Sequence, residues 1–178
     1  INLSLGFEVL DYALLSAPGA PLKQALLDAK IGKDIYGSFE DGIKQTYFSI
    51  VAKGANLSQK EEFVKVIRDT LTKIMEEGID KKAVTAGINY YEFRFREADF
   101  SSYPKGLMYG LDILSSWLYD DTKPFCEVQL LEGFEFLKKA LEEGYFEDLI
   151  RKYLLDNTHG AILSLVPEKG LAAKRDKE

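Results

Sequence analysis

Along most of this chain apolar residues recur at spacings of three and four, and the rhythm gives way to strict alternation between Ile31 and Lys53. That single switch predicts a helix-rich fold carrying a small sheet. Leu3, Phe7, Leu10 and Leu14 place an apolar stripe on a first helix, which Pro18-Gly19 ends. Pro21 suits the first turn of a second helix bearing Leu22, Ala25, Leu26 and Ala29. Ile31, Lys33, Ile35, Gly37 and Phe39 then share one side of an extended run. Asp41-Gly42 is a hairpin turn pair, and Ile43 to Lys53 is rich in Thr, Tyr, Phe, Ile and Val. Residues 33–40 and 43–53 are expected to form an antiparallel hairpin.

Ser58-x-x-Glu61 reads as a capping box for a helix with Phe63, Ile67, Leu71 and Ile74, closed by Gly78 in a Schellman ending onto Ile79. Asp80 caps the next helix, striped by Val84, Ile88, Tyr91 and Phe95. Pro104 opens another, with Leu107, Leu111, Leu114 and Leu118 on one face. After a loop at 120–124, helices at 129–143 and 145–155 meet at Gly144. Ala161 to Val166 reads as an apolar strand ended by Pro167, and the charged tail 168–178 as solvated or helical linker. The expected tally is about seven helices and three strands. The fold class is α/β in two layers, helix-rich, with a small, mainly antiparallel sheet and helices on one face.

Length and composition narrow the function. A chain of 178 residues fits a single domain, placed at 1–167 before the tail, and buries roughly two-thirds of its unfolded surface without help from disulfides or metals. With 23 Lys+Arg against 29 Asp+Glu the formal charge is −6, which argues against a nucleic-acid partner. No apolar run reaches the ~18 residues of a membrane span, and no signal peptide is visible. One cysteine excludes an internal disulfide framework. The single histidine is the sharper limit, because the zinc-peptidase signatures H-E-x-x-H and H-x-x-E-H each need two. Ile1 in place of Met, and a sheet this thin, suggest a chain excised from something longer, with a further strand upstream.

Few residues offer chemistry. His159 is a candidate metal ligand or base, yet its only acidic neighbour within three residues is Asp156. A zinc site needs three or four protein ligands, so a backbone-bonded histidine at a strand entrance is the plainer reading. Cys126 follows Pro124-Phe125 with no base or basic cluster beside it, as a small buried hydrophobe would. Arg94 and Arg96, in the charged run Glu92 to Asp99, could face an anionic or peptide ligand; the alternative is a solvated face with a Glu92–Arg96 pair at i, i+4. Gly6, Gly19, Gly32, Gly37 and Gly42 compose no phosphate-binding loop. The dense aromatics between Tyr90 and Tyr119 are expected in the core or at an interface. Catalytic, cofactor-binding and metal-ligating residues are therefore all expected to be absent.

Longer strings carry a resemblance. They are Asp11-Tyr12-x-Leu14-Leu15-x-x-x-Pro18-Gly19-Ala20-Pro21-Leu22, Gly37 to Gly42, Phe48 to Gly54, Asn89 to Phe93, Arg96 to Phe100, Pro104 to Leu107, Ser116 to Asp120, and Leu154 to His159 running on to Pro167. Together they resemble the presequence-protease branch of the pitrilysin/insulinase-type zinc metallopeptidases, specifically the second, non-catalytic domain of the N-terminal half. The resemblance implies a parent that degrades peptides with a zinc held by H-x-x-E-H in its first domain. For this segment it implies no cofactor, and His159 matches a strand entrance rather than the metal motif. Implied partners are the preceding catalytic domain, the opposite half of the same polypeptide and the parent's peptide substrates. The implied location is cytoplasmic, or an organelle matrix in a eukaryotic source. A self-standing helical interaction module and a small-molecule binder using the aromatic helix faces stay open as rivals.

Overall fold

The computed structural model describes residues 2–98 and 100–175; Ile1, Asp99 and 176–178, on which parts of the expected start, charged run and tail fall, lie outside the described residues. Helix α1 (Asn2–Asp11) runs on through a π-helical turn at Tyr12–Ser16. Leu5, Phe7, Val9, Leu10, Ala13, Leu14 and Leu15 are all buried, so this helix is covered nearly all round rather than along one stripe. Leu3, expected on the stripe, is exposed. Around this axis pack the strand Asp34–Glu40 and the helices Lys81–Glu97, Leu131–Ala140 and Tyr145–Leu149.

Helix α2 (Pro21–Asp28) buries Leu22 and Leu26 and leads into strands β1 (Asp34–Glu40) and β2 (Tyr47–Lys53), an antiparallel pair. The expected hairpin is present, but its second strand begins at Tyr47 rather than Ile43. Glu40 pairs with Tyr47, leaving 41–46 as a longer connection. A two-residue turn at Asp41-Gly42 would pair Phe39 with Lys44 and turn Lys44 and Thr46 toward the core. The observed register instead sets Phe48, Ile50 and Ala52 opposite Phe39, Gly37 and Ile35. Burial of apolar side chains overrides the turn signal. Phe39 stacks on Phe7 with ring centroids 5.2 Å apart, and Phe48 tilts against the same ring at 6.1 Å. On the outer face the Ser38 and Ser49 hydroxyls share a 3.0 Å hydrogen bond.

Helix α3 (Lys60–Glu77) starts after a 3-10 turn at Leu57–Gln59. The expected box at Ser58 and Glu61 is displaced two residues earlier: the Asn56 N–H donates to Gln59 Oε1 at 3.0 Å. Gln59 Nε2 donates to Lys30 O at 3.0 Å, anchoring the turn to the end of α2, a constraint no local pattern reveals. The expected Schellman ending is also absent. Gly78 has φ 90° and ψ 150°, outside the left-handed helical well, because the Ile79 N–H donates across the molecule to Glu147 Oε1 at 3.0 Å.

Helix α4 (Lys81–Glu97) is capped by Asp80, whose Oδ1 accepts from the N–H groups of Lys82 (2.9 Å) and Ala83 (3.3 Å). Val84 and Ile88 are buried. Helix α5 (Lys105–Trp117) follows Pro104 and packs chiefly on a 3-10 turn at Cys126–Val128; none of its residues is buried. Helix α6 (Leu131–Ala140) and its 3-10 extension lead to Gly144 at φ 79°, then to α7 (Tyr145–Leu149) and a π-helical segment at Ile150–Leu155. The expected strand at Ala161–Val166 does not form. Leu163 and Leu165 are 87% and 98% exposed, and no described strand lies alongside to take the backbone hydrogen bonds. Helix α8 (Leu171–Arg175) occupies part of the tail. The result is a helix-rich α/β fold with helices on one face of a two-stranded antiparallel sheet.

Candidate functional site

The residues singled out for chemistry are scattered. His159 is exposed, and its backbone N–H donates to Asn157 Oδ1 at 2.8 Å in a local turn. Cys126 is half-buried, with Sγ 3.5 Å from Glu127 Oε1; that partner is an acid, not the base that a nucleophilic thiol requires. Arg96 Nε and Nη2 both donate to Glu92 Oε1, at 2.8 and 2.6 Å, while Lys138 Nζ from α6 reaches Glu92 Oε2 at 2.7 Å. Glu92 is buried, and these two cations hold its carboxyl below the usual range. Arg94 turns the other way, over the Tyr90 ring at 5.6 Å. The two arginines therefore do not converge on a shared ligand, and the charged run is a structural clamp between α4 and α6.

Sequence reasoning missed an acidic seam. Glu8 and Asp11, one turn apart on the largely apolar α1, both have raised pKa values, chiefly through burial. Glu8 is pushed up to about 7, with Asp41 and Glu127 adding like-charge repulsion and Arg94 opposing it. Asp11 Oδ1 is buried with no hydrogen-bond partner. Burial first, then the charge of Glu8, also raises the Tyr91 phenol. The signal was available: two carboxylates at i, i+3 amid leucines. Its meaning was not, because the groups facing them come from distant segments.

An open apolar cleft of about 590 Å³ lies between α4, α5 and α6, lined by Phe95, Tyr109, Ile113, Val128 and Leu131 with Arg96 at its edge. Arg96 is already committed to Glu92. The residues present do not fit a catalytic zinc. Among the described residues no three His, Cys, Asp or Glu side chains are arranged to hold a metal. No described helix is long and apolar enough to cross a membrane.

The fold is that of a peptidase-family domain, and the chain belongs to the peptidase M16 inactive-domain family, whose model matches residues 2–91. Among individual relatives it is 47% identical over 174 residues to Protein HypA of Clostridium perfringens, an alignment covering 98% of this chain and 18% of that protein. It is 35% identical over 182 residues to presequence protease 1, chloroplastic/mitochondrial, of Arabidopsis thaliana, covering 99% of this chain and 17% of that protein. The mitochondrial presequence protease of Xenopus laevis is 26% identical over 172 residues, covering 92% and 16% respectively. This chain thus spans less than a fifth of these relatives' length. Its fold is similar to that of the inactive peptidase domain of a protein described as a zinc protease from Bordetella parapertussis. There the TM-score is 0.59 at 12% identity, over 85% of this chain and 75% of that one.

Proposed function

We propose that this chain is a non-catalytic, structural domain of a longer zinc-dependent peptidase that degrades peptides. Residues 1–167 form the domain and 168–178 lead toward a linker between the two halves of the enzyme. Its work is to support the metal-bearing domain and to line part of the chamber that admits peptides and excludes folded proteins. Zinc belongs to the parent's first domain, and this segment needs no cofactor. The parent works in the cytoplasm, or in an organelle matrix if its source is eukaryotic.

The observation that carries this reading is a conjunction. Nearly the whole chain aligns with a presequence protease, yet it has one histidine and one cysteine, and neither belongs to a group of metal ligands among the described residues. Cleavage of a peptide bond by metal-activated water needs three protein ligands and an open position, and the described residues group no three His, Cys, Asp or Glu side chains to that end. The test is substitution in the longer protein. His159→Ala with Cys126→Ser is expected to leave zinc content and peptide turnover within about twofold of the parent, roughly 0.4 kcal/mol in barrier terms. Loss of zinc from that double variant would assign a ligand to this segment and overturn the proposal.

A further inference from the structure

The leucines of α5 read in the sequence as a core stripe, but the fold leaves them outside. Leu107, Leu111, Leu114 and Leu118 are 52%, 51%, 43% and 71% exposed, and Trp117 beside them is 50% exposed. The other side of the helix is the one the molecule uses: Tyr109 and Ile113 face the cleft against Phe95, Val128 and Leu131. Helix α5 is therefore apolar on two sides, one lining the open cleft beside the 126–128 turn and the other turned to solvent. No charged residue interrupts the outer stripe over its three turns; Lys105 precedes it, and Asp112 is half-buried off the stripe. Such charge-free continuity is the mark of a permanent interface core, which resembles a domain interior cut in half, rather than of a surface that must release a substrate.

We infer that the Leu107–Leu118 stripe of α5 docks on another domain of the same polypeptide, outside residues 1–178, as an amphipathic helix laid in an apolar groove. The inference rests on the reading of the chain as part of a longer peptidase. Two observations choose this occupant over a second copy of the chain. At these exposures the stripe presents on the order of 500 Å², short of the ~800 Å² per partner of a standard stable interface. A tethered domain does not need that area, because a short linker supplies an effective concentration of order millimolar. The relatives carry more than four-fifths of their length outside the region this chain matches, so tethered partners are at hand.

The test is photo-cross-linking in the longer protein. Benzoylphenylalanine replaces Leu111 in one variant and Leu118, at the rim, in a second, so that one probe survives if the other disturbs docking. A probe at exposed Glu62 on α3 serves as control. The expected result is a link from position 111 or 118 to a peptide outside residues 1–178, with a yield unchanged over a hundredfold dilution. Links to a second copy that fade on dilution, links only to added peptide substrate, or no more labelling than at position 62 would each overturn the inference. A gene product of 178 residues alone would sink both the parent reading and the docking. Misdirected links in a longer, zinc-bearing peptidase would sink only the docking.

Discussion

Glu92 and Glu8 are both carboxylates pressed toward the interior, and their surroundings drive them in opposite directions. Arg96 and Lys138 hold the Glu92 carboxyl below its usual range. Its stabilising share is therefore present above the ordinary glutamate pKa and is lost as pH falls through the depressed folded value. Glu8, raised to about 7 chiefly by burial, has the reverse sign. Between roughly pH 4.5 and 7 the unfolded chain releases a proton that the folded chain keeps, so stability declines as pH rises through that window and levels off above it. Urea unfolding from pH 4 to 8 should show Glu8→Gln gaining on the order of 1–3 kcal/mol over the parent at pH 8 and little at pH 4. Glu92→Gln should lose about 1–3 kcal/mol at pH 7, and less at pH 4. A Glu8→Gln gain that is the same at both pH values would refute the burial argument. The Glu92–Arg96 pair was legible as an i, i+4 spacing. The arrival of Lys138 was not, since it depends on how α6 crosses α4.

Local structure was most readable where one segment decides it alone. The Asp80 cap, the Pro21 helix start and the Gly144 joint stand where the sequence puts them, because each is settled within four residues. The hairpin was legible as two strands, but its register was decided by which residues could face α1. Gly37 shows how tight that meeting is. A Cβ there would overlap Leu15 Cδ1 and lie 2.7 Å from Asp11 Oδ1 and 2.8 Å from Ser49 O. Gly37→Ala is expected to cost about 1–3 kcal/mol by overpacking, whereas Gly42→Ala, with nothing within 4 Å, should change stability by less than about 0.5 kcal/mol. Thermal melts of the two variants check the pair, and equal losses would contradict the register. The segment 161–166 failed as a strand for the complementary reason: β propensity marks a segment fit for a sheet but does not provide the neighbour.

At the scale of the molecule, a leucine stripe at helical spacing looks the same whether a core or a partner covers it. The stripe on α4 buries Val84 and Ile88, while that on α5 does not bury a single leucine. Phe134→Ala, in the centre of the core, is expected to cost about 3–5 kcal/mol, and Leu111→Ala in the 178-residue chain less than about 0.5 kcal/mol, by denaturant titration. At the same scale, a metal site is a matter of which ligand side chains the fold brings together, and among the described residues no three His, Cys, Asp or Glu are so grouped. The most direct measurement of the central claim is zinc content and peptide hydrolysis of the 178-residue chain, purified in the presence of zinc and dialysed. The account predicts far less than one zinc per chain and no turnover above buffer. Stoichiometric zinc with peptide turnover, held by this segment's own side chains, would contradict it.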